Sequence, residues 1–305
     1  MTAQDNQTTN HSSEDQKSQS QSQSQLPSWY QKNVTSINPE AQHLLESYSG
    51  FKPEEVVPHV VALRDEAFQV YHYSCIGQMR FLSFNLSHMP FWPRVLEWLR
   101  SDPEAGFLDA GCCFAQEVRF LANQEGISDR QLYGCDLEKV FIDLGYRLFR
   151  DEGKLAATFV VGDLAVADDD VYEASDLAKT LRGKMDVIFA SSLFHMWDYD
   201  VQLRVARRMV AMCRDREGVM ITGRQMGSLL GGRYPMTGMK EGGSTNYRHN
   251  VETIKGFWHD VGEATNTRWT VEADTYWGEE MEQTKNAPWA EPNMRMIWWC
   301  ATRKK

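Results

Sequence analysis

From Gly106 onward the chain alternates short apolar runs with stretches whose apolar residues recur every three or four positions. Five runs read as strands: GFLDAG, QLYGCD (131–136), TFVVGD (158–163), MDVIFASSLF (185–194) and GVMITGR (218–224). After the first, FAQEVRFLANQEG puts Phe114, Val118, Leu121 and Ala122 on one helical face, with Gly126 as the expected C-terminal cap. VFIDLGYRLFRDEG and VQLRVARRMVAMC read as further helices. Apolar strands alternating with helices predict a parallel sheet covered on both faces. A helix VETIKGFWHDVG, which Asn250 can cap, precedes RWTVEADTY and MRMIWWCATR, an expected antiparallel pair. The pattern therefore predicts an α/β fold with a seven-stranded sheet.

Upstream the pattern differs. PEEVVPHVVALRDEAFQVY starts at a proline and spaces Val57, Val60, Val61, Leu63 and Phe68 near a 3.6 period; FWPRVLEWLRSD (91–102) reads as another helix. YHYSCIGQMRFL, between them, has no clean period. The first 25 residues are almost all Gln, Ser, Asn, Thr and charge, too polar to offset their ordering entropy, and are expected to be a disordered tail. Residues 225–250 hold six glycines and little pattern, which predicts a long functional or mobile loop. The expected organisation is a tail (1–25), a helical N-terminal cap over the substrate (26–105) and a cofactor-binding domain (106–305).

Composition narrows the partners. With 305 residues, 42% hydrophobic and 24% charged, a full core is within reach of the chain. A net charge of −10, with no basic run longer than the terminal RKK, argues against nucleic acid and against an anionic membrane surface. Six cysteines form no CxxC pair and no His spacing suits zinc, so a reducing compartment and no metal are expected. No apolar leader core or membrane-length run occurs, which points to a cytoplasmic protein. A homodimer is left open.

In a sheet of this kind ligands sit beyond the carboxyl ends of the strands. Those ends carry Asp109-Ala110-Gly111, Asp136-Leu137, Asp163-Leu164 and Ser191 to His195. The first turn, DAGCCFA, keeps only one glycine. A dinucleotide needs glycines there so that backbone N–H groups reach its pyrophosphate, and Cys113 and Ala115 would crowd that approach. S-adenosylmethionine has no phosphate and tolerates side chains in the turn. Asp136 can accept both ribose hydroxyls, Asp163 the adenine amino group, and Leu137 and Leu164 can pack on the ring. A strand-end Asp also caps helices, so each acid has a purely structural reading. Cys112 and Cys113 likewise read as small packing residues.

FLDAGCC, LYGCDL, GYRLFRDEG, GKMDVIFASSLFH and the earlier WYQKNVT and YSCIGQMRFL together resemble the small fungal S-adenosylmethionine-dependent methyltransferases of meroterpenoid biosynthesis, from about Trp29 to the C-terminus. The resemblance implies a class I methyltransferase, Rossmann-like fold with S-adenosyl-L-methionine as cofactor. The usual reaction in the family is methyl ester formation on the carboxyl of a farnesylated aromatic polyketide acid. By position, the cofactor residues are Gly111, Asp136, Leu137, Asp163 and Leu164, with Asp109, Cys113 and Ser191 beside them.

A carboxylic acid is already ionised at neutral pH, so ester formation needs no base; a phenol needs one, and His195 at the end of the fourth strand is the candidate. Arg80, and after it Arg224, are the candidates for orienting an anionic acceptor. Tyr71, Tyr73, Phe81, Trp92 and Tyr234 are candidate walls for a large apolar substrate. The competing readings are a phenolic O-methyltransferase with His195 as base and a non-catalytic relative or NAD-binding oxidoreductase.

Overall fold

A computed structural model describes residues 26–27, 29–236 and 244–305; the expected tail lies outside the described residues. Four helices come first: α1 (Pro39–Ser47), α2 (Pro53–Val70), α3 (Ser74–Gly77) and α4 (Trp92–Ser101). Then follow β1 (Phe107–Ala110), α5 (Gln116–Asn123), β2 (Leu132–Asp136), α6 (Lys139–Phe149) and β3 (Thr158–Val161). Two short helices, α7 (Asp169–Glu173) and α8 (Asp176–Leu181), lead to β4 (Val187–Ser191), α9 (Tyr199–Met212) and β5 (Met220–Ser228). The chain ends with β6 (Gly232–Pro235), β7 (Thr245–Arg248), α10 (Val251–Thr265), β8 (Arg268–Tyr276), α11 (Glu279–Thr284) and β9 (Met294–Lys304).

Seven strands form one sheet in the order β3-β2-β1-β4-β5-β9-β8, parallel except for β9, which runs antiparallel to both β5 and β8. This is the class I methyltransferase sheet. Its central strands are apolar because helices cover both faces: every residue of β1 is buried, as are Val187 to Ala190 of β4. The edge strand β8 alternates exposed and half-buried positions instead. Asn250 caps α10 through its side-chain oxygen, as the sequence predicts.

Within 225–250 the described residues, 225–236 and 244–250, correct the expectation of a patternless loop; 237–243 lie outside the described residues. β5 continues to Ser228 because β9 supplies a partner for every residue, down to Ser228 opposite Met294. Beyond it β6 and β7 pair as a hairpin, with Gly232 opposite Arg248. Glycines interrupt the alternation and hide these strands in the sequence.

The helical N-terminal segment shares a hydrophobic core with the sheet's helices. Leu44, Val60, Phe68 and Phe81 pack in one cluster with Phe114, Phe141, Leu144 and Phe149. Among the described residues no helix is long and apolar enough to cross a membrane.

Candidate active site

The turn after β1 holds three residues in the left-handed region, Gly111 (φ 75°), Cys113 (φ 50°) and Ala115 (φ 52°). Side chains at two of them are therefore carried in a conformation natural to glycine, a strained arrangement that persists only when its surroundings hold it. They do. Gly111 and Cys112 both donate their amides to Cys135 O at 2.9 Å. Arg119 on α5, fully buried, donates to Phe114 O at 2.9 Å and Ala115 O at 3.2 Å. Its other nitrogens form a two-pronged ion pair with Asp151 at 2.8 and 3.0 Å, and Tyr48 of α1 donates to the same carboxylate at 2.9 Å. Gly111 cannot be replaced cheaply, since at φ 75° a side chain is strained whatever the space, and a Cβ there would also push away Leu193 Cδ1, 2.9 Å from it.

Asp136 closes β2 and accepts from Cys113 N at 2.8 Å and Glu138 N at 3.0 Å. It so braces both neighbouring turns, and burial raises its pKa. Each carboxylate oxygen retains a lone pair for a ligand hydroxyl. Asp163, exposed, accepts from Ala165 N at 2.7 Å with one oxygen. Leu137 is exposed beside these acids, at 55%. Leu164 is buried in the main core and lends its carbonyl to Arg208 at 2.8 Å, whereas Leu137 stands exposed. The Cys113 thiol is raised well above its ordinary pKa by burial, which leaves it an inert packing group.

Two buried carboxyls lie behind the turn. Asp109 Oδ2 has no partner among the described residues, and burial followed by the charge of Asp136 pushes this acid up to about 7. Glu117 accepts from Asn85 N at 2.7 Å and Leu86 N at 3.2 Å but leaves Oε2 unpartnered; burial and then Asp109 push it to about 8. An orphaned acid beside a glycine turn asks for a cation. S-adenosylmethionine, with its ammonium and sulfonium, fits that demand, whereas a pyrophosphate would be repelled.

On the far side of the sheet centre stand the basic groups. Arg224, at the middle of β5, donates to Tyr276 Oη at 2.9 Å and to Ser191 Oγ at 3.4 Å and pairs with Glu280 of α11. Arg80 has no carboxylate partner among the described residues; it donates to Gln78 Oε1, its Nε is buried and unpartnered, and burial lowers its pKa to about 10. Both arginines line a cavity of about 370 Å³ between the N-terminal segment, β5 and α11. Arg248 was missed in the sequence because it lies in the glycine-rich stretch. It is 1% exposed, sits 4.7 Å over the Tyr234 ring and donates to Trp289 O at 3.1 Å. Its Nε and Nη1 have no hydrogen-bond partner among the described residues.

His195 lies within electrostatic reach of all three arginines. Its Nδ1 accepts the Met226 amide at 3.3 Å, which places the ring proton on Nε2. Burial first, then Arg248, Arg224 and Arg80, lower its pKa to about 3. Asn246 on β7 holds the His195 carbonyl at 2.8 Å.

Of the expected wall residues, Phe81 packs against Phe114 (4.5 Å between ring centroids) and Trp92 against Phe120 (6.3 Å), so both belong to cores. Tyr71 and Tyr73 stack at 3.9 Å, and Tyr73 lies within electrostatic range of Asp136. Tyr234 stands on the hairpin under Arg248.

A single-glycine turn set among strand-end acids, on this sheet order, defines a class I S-adenosylmethionine-dependent methyltransferase. Residues 29–82 match the meroterpenoid methyltransferase N-terminal domain. Over 245 residues the chain is 37% identical to O-methyltransferase atr3 of Stereocaulon alpinum, covering 80% of this chain and 68% of that one. Against O-methyltransferase phiE of Fungal sp. the identity is 38%, covering 80% and 78%. Asnovolin E/Chermesin D methyltransferase nvfJ of Aspergillus novofumigatus is 37% identical over 188 residues, 62% and 64% of the two chains. The chain belongs to this fungal meroterpenoid methyltransferase family, and its chemistry is S-adenosylmethionine-dependent methylation in secondary metabolism.

Proposed function

We propose that the enzyme forms a methyl ester on the carboxylate of an aromatic polyketide acid carrying a farnesyl or similar apolar group. What carries this reading is the state of His195. A phenol acceptor requires a base whose pKa lies near the working pH. His195 has its Nδ1 occupied by a backbone amide and presents its Nε2 N–H, and burial first, then three arginines, lower its pKa to about 3, which keeps the ring neutral. That arrangement receives an anion and does not remove a proton. Arg80, which has Glu279 within electrostatic reach at the cavity but makes no ion pair with it, supplies the charge that orients a carboxylate.

The cofactor, when bound, supplies an electrophilic methyl group on a sulfonium. On this chain, Asp109, Gly111, Asp136, Leu137, Asp163 and Ser191 are the residues assigned to hold it. A carboxylate acceptor would reach that methyl group already ionised, so no residue of this chain would need to remove a proton. The protein's task is then alignment and exclusion of water.

The test is chemical. Aromatic acids and phenols are offered with labelled S-adenosylmethionine, and the product is treated with mild alkali. A methyl ester is cleaved; an alkali-stable ether overturns the proposal. His195→Gln is expected to leave the pH profile of kcat/KM unchanged between pH 6 and 8, whereas loss of a true base costs on the order of 10² to 10⁴ in rate.

A further inference from the structure

Arg224 is 4% exposed and ends among three groups, Ser191, Tyr276 and the Glu280 carboxylate. Only Glu280 comes from outside the sheet. It stands at the start of α11, a six-residue helix joining β8 to β9, and it lines the same cavity as Arg80. The cavity therefore holds two arginines in different conditions: Arg80 makes no ion pair among the described residues, although Glu279 lies within its electrostatic reach, and Arg224 is paired with Glu280. Glycine at 278 leaves room for the Glu280 side chain in this position. A Cβ there would meet Glu280 Oε2 at 2.6 Å.

We propose that Glu280 is an internal stand-in for the acceptor carboxylate, which an anionic substrate displaces from Arg224 as it docks. This deepens the carboxylate reading above and rests on it. A neutral acceptor has nothing with which to replace the Glu280 carboxylate, and leaves Arg224 paired. An acid exchanges one carboxylate for another at nearly constant charge, so Arg224 is never left buried and bare. Glu280 thereby selects for anionic acceptors at the cost of lowering their affinity, because only the fraction of molecules with Glu280 withdrawn can bind.

The full chain is titrated with benzoate by calorimetry, with benzamide as the neutral control, in wild type and Glu280→Gln. If about one molecule in ten has Glu280 withdrawn, the variant binds benzoate about tenfold more tightly while benzamide is unchanged. Thermal stabilisation by benzoate grows correspondingly, because the probe restores the charge partner that the variant lost. Benzoate affinity that is equal or weaker in Glu280→Gln overturns the proposal. Gly278→Ala keeps the carboxylate but crowds it away from Arg224; it is expected to move benzoate affinity in the same direction, and an opposite shift counts against the idea even if Glu280→Gln folds poorly. These outcomes are separate from the ester test: tighter benzoate binding with an alkali-stable product retains the displacement and overturns ester formation alone.

Discussion

Replacing Asp151 by Ala tests how the strained cofactor turn is held. Arg119 and Asp151 are 1% and 2% exposed, and their two-pronged contact is the only charge compensation for Arg119 in its core among the described residues. Removing one member of a buried pair strands the other charge, which costs about 3–5 kcal/mol. Tyr48 loses its acceptor as well, and the Arg119 contacts to Phe114 O and Ala115 O lose their anchor. At roughly 2–4 °C per kcal/mol for a chain of this order of size, the melting temperature should fall by about 10 °C. Circular dichroism melts measure this, and calorimetry should show weaker S-adenosylmethionine binding at a temperature where the variant is folded. The double variant Arg119→Met with Asp151→Leu should be less destabilised than either single variant, because no charge is left buried. A fall below about 3 °C for Asp151→Ala, or a double variant worse than both singles, would refute the reasoning.

The turn's left-handed residues give a second expectation: Ala115→Gly stays within about 0.5 kcal/mol of wild type, relief of strain offsetting lost burial and chain entropy. Ala115→Val, β-branched at positive φ, should cost more than about 2 kcal/mol in denaturant unfolding. Asp109, raised to about 7, stabilises the free enzyme below about pH 4 and loses that contribution as pH rises through 7. A bound cation lowers that pKa, so S-adenosylmethionine should bind more tightly from pH 6 to 8 with release of a proton. Calorimetry in two buffers of different ionisation enthalpy reads this, and identical heats would contradict it; Asp109→Asn should abolish the pH dependence. Asp136→Ala should cut cofactor affinity more than Asp163→Ala, since Asp136 also braces Cys113; the reverse order in direct binding would exchange their roles.

Much of the framework was readable along the chain because it is local. A run such as VIFAS needs no partner to declare a doubly covered strand, and Asn250 announces its helix by its own side chain. The acids at strand ends were legible for the same reason. What escaped depends on contacts between distant residues. Arg119 and Asp151 meet only once α5 and the end of α6 pack, and Arg224 meets Glu280 only across β5 and α11. The protonation of Asp109 and Glu117 is set by desolvation, which composition does not report. Phe81 and Trp92 looked like walls because aromatic residues near a site and aromatic residues in a core have the same sequence signature. His195 was located by its strand-end position, but its tautomer is set by the Met226 amide and its lowered pKa by burial and then by three arginines on separate elements.

The common hydrophobic core of the N-terminal helices and α5–α6 bears on how this enzyme can be re-engineered. Segment 29–82 looks like an exchangeable specificity module, yet Phe81 packs on Phe114 in the cofactor turn and Tyr48 bonds Asp151 after α6. A graft of that segment from a relative carries half of an interface whose other half stays behind. Transplants that also carry the donor's residues at 114, 141 and 151 keep the seam matched, while grafts of the segment alone leave it unmatched beside the turn after β1.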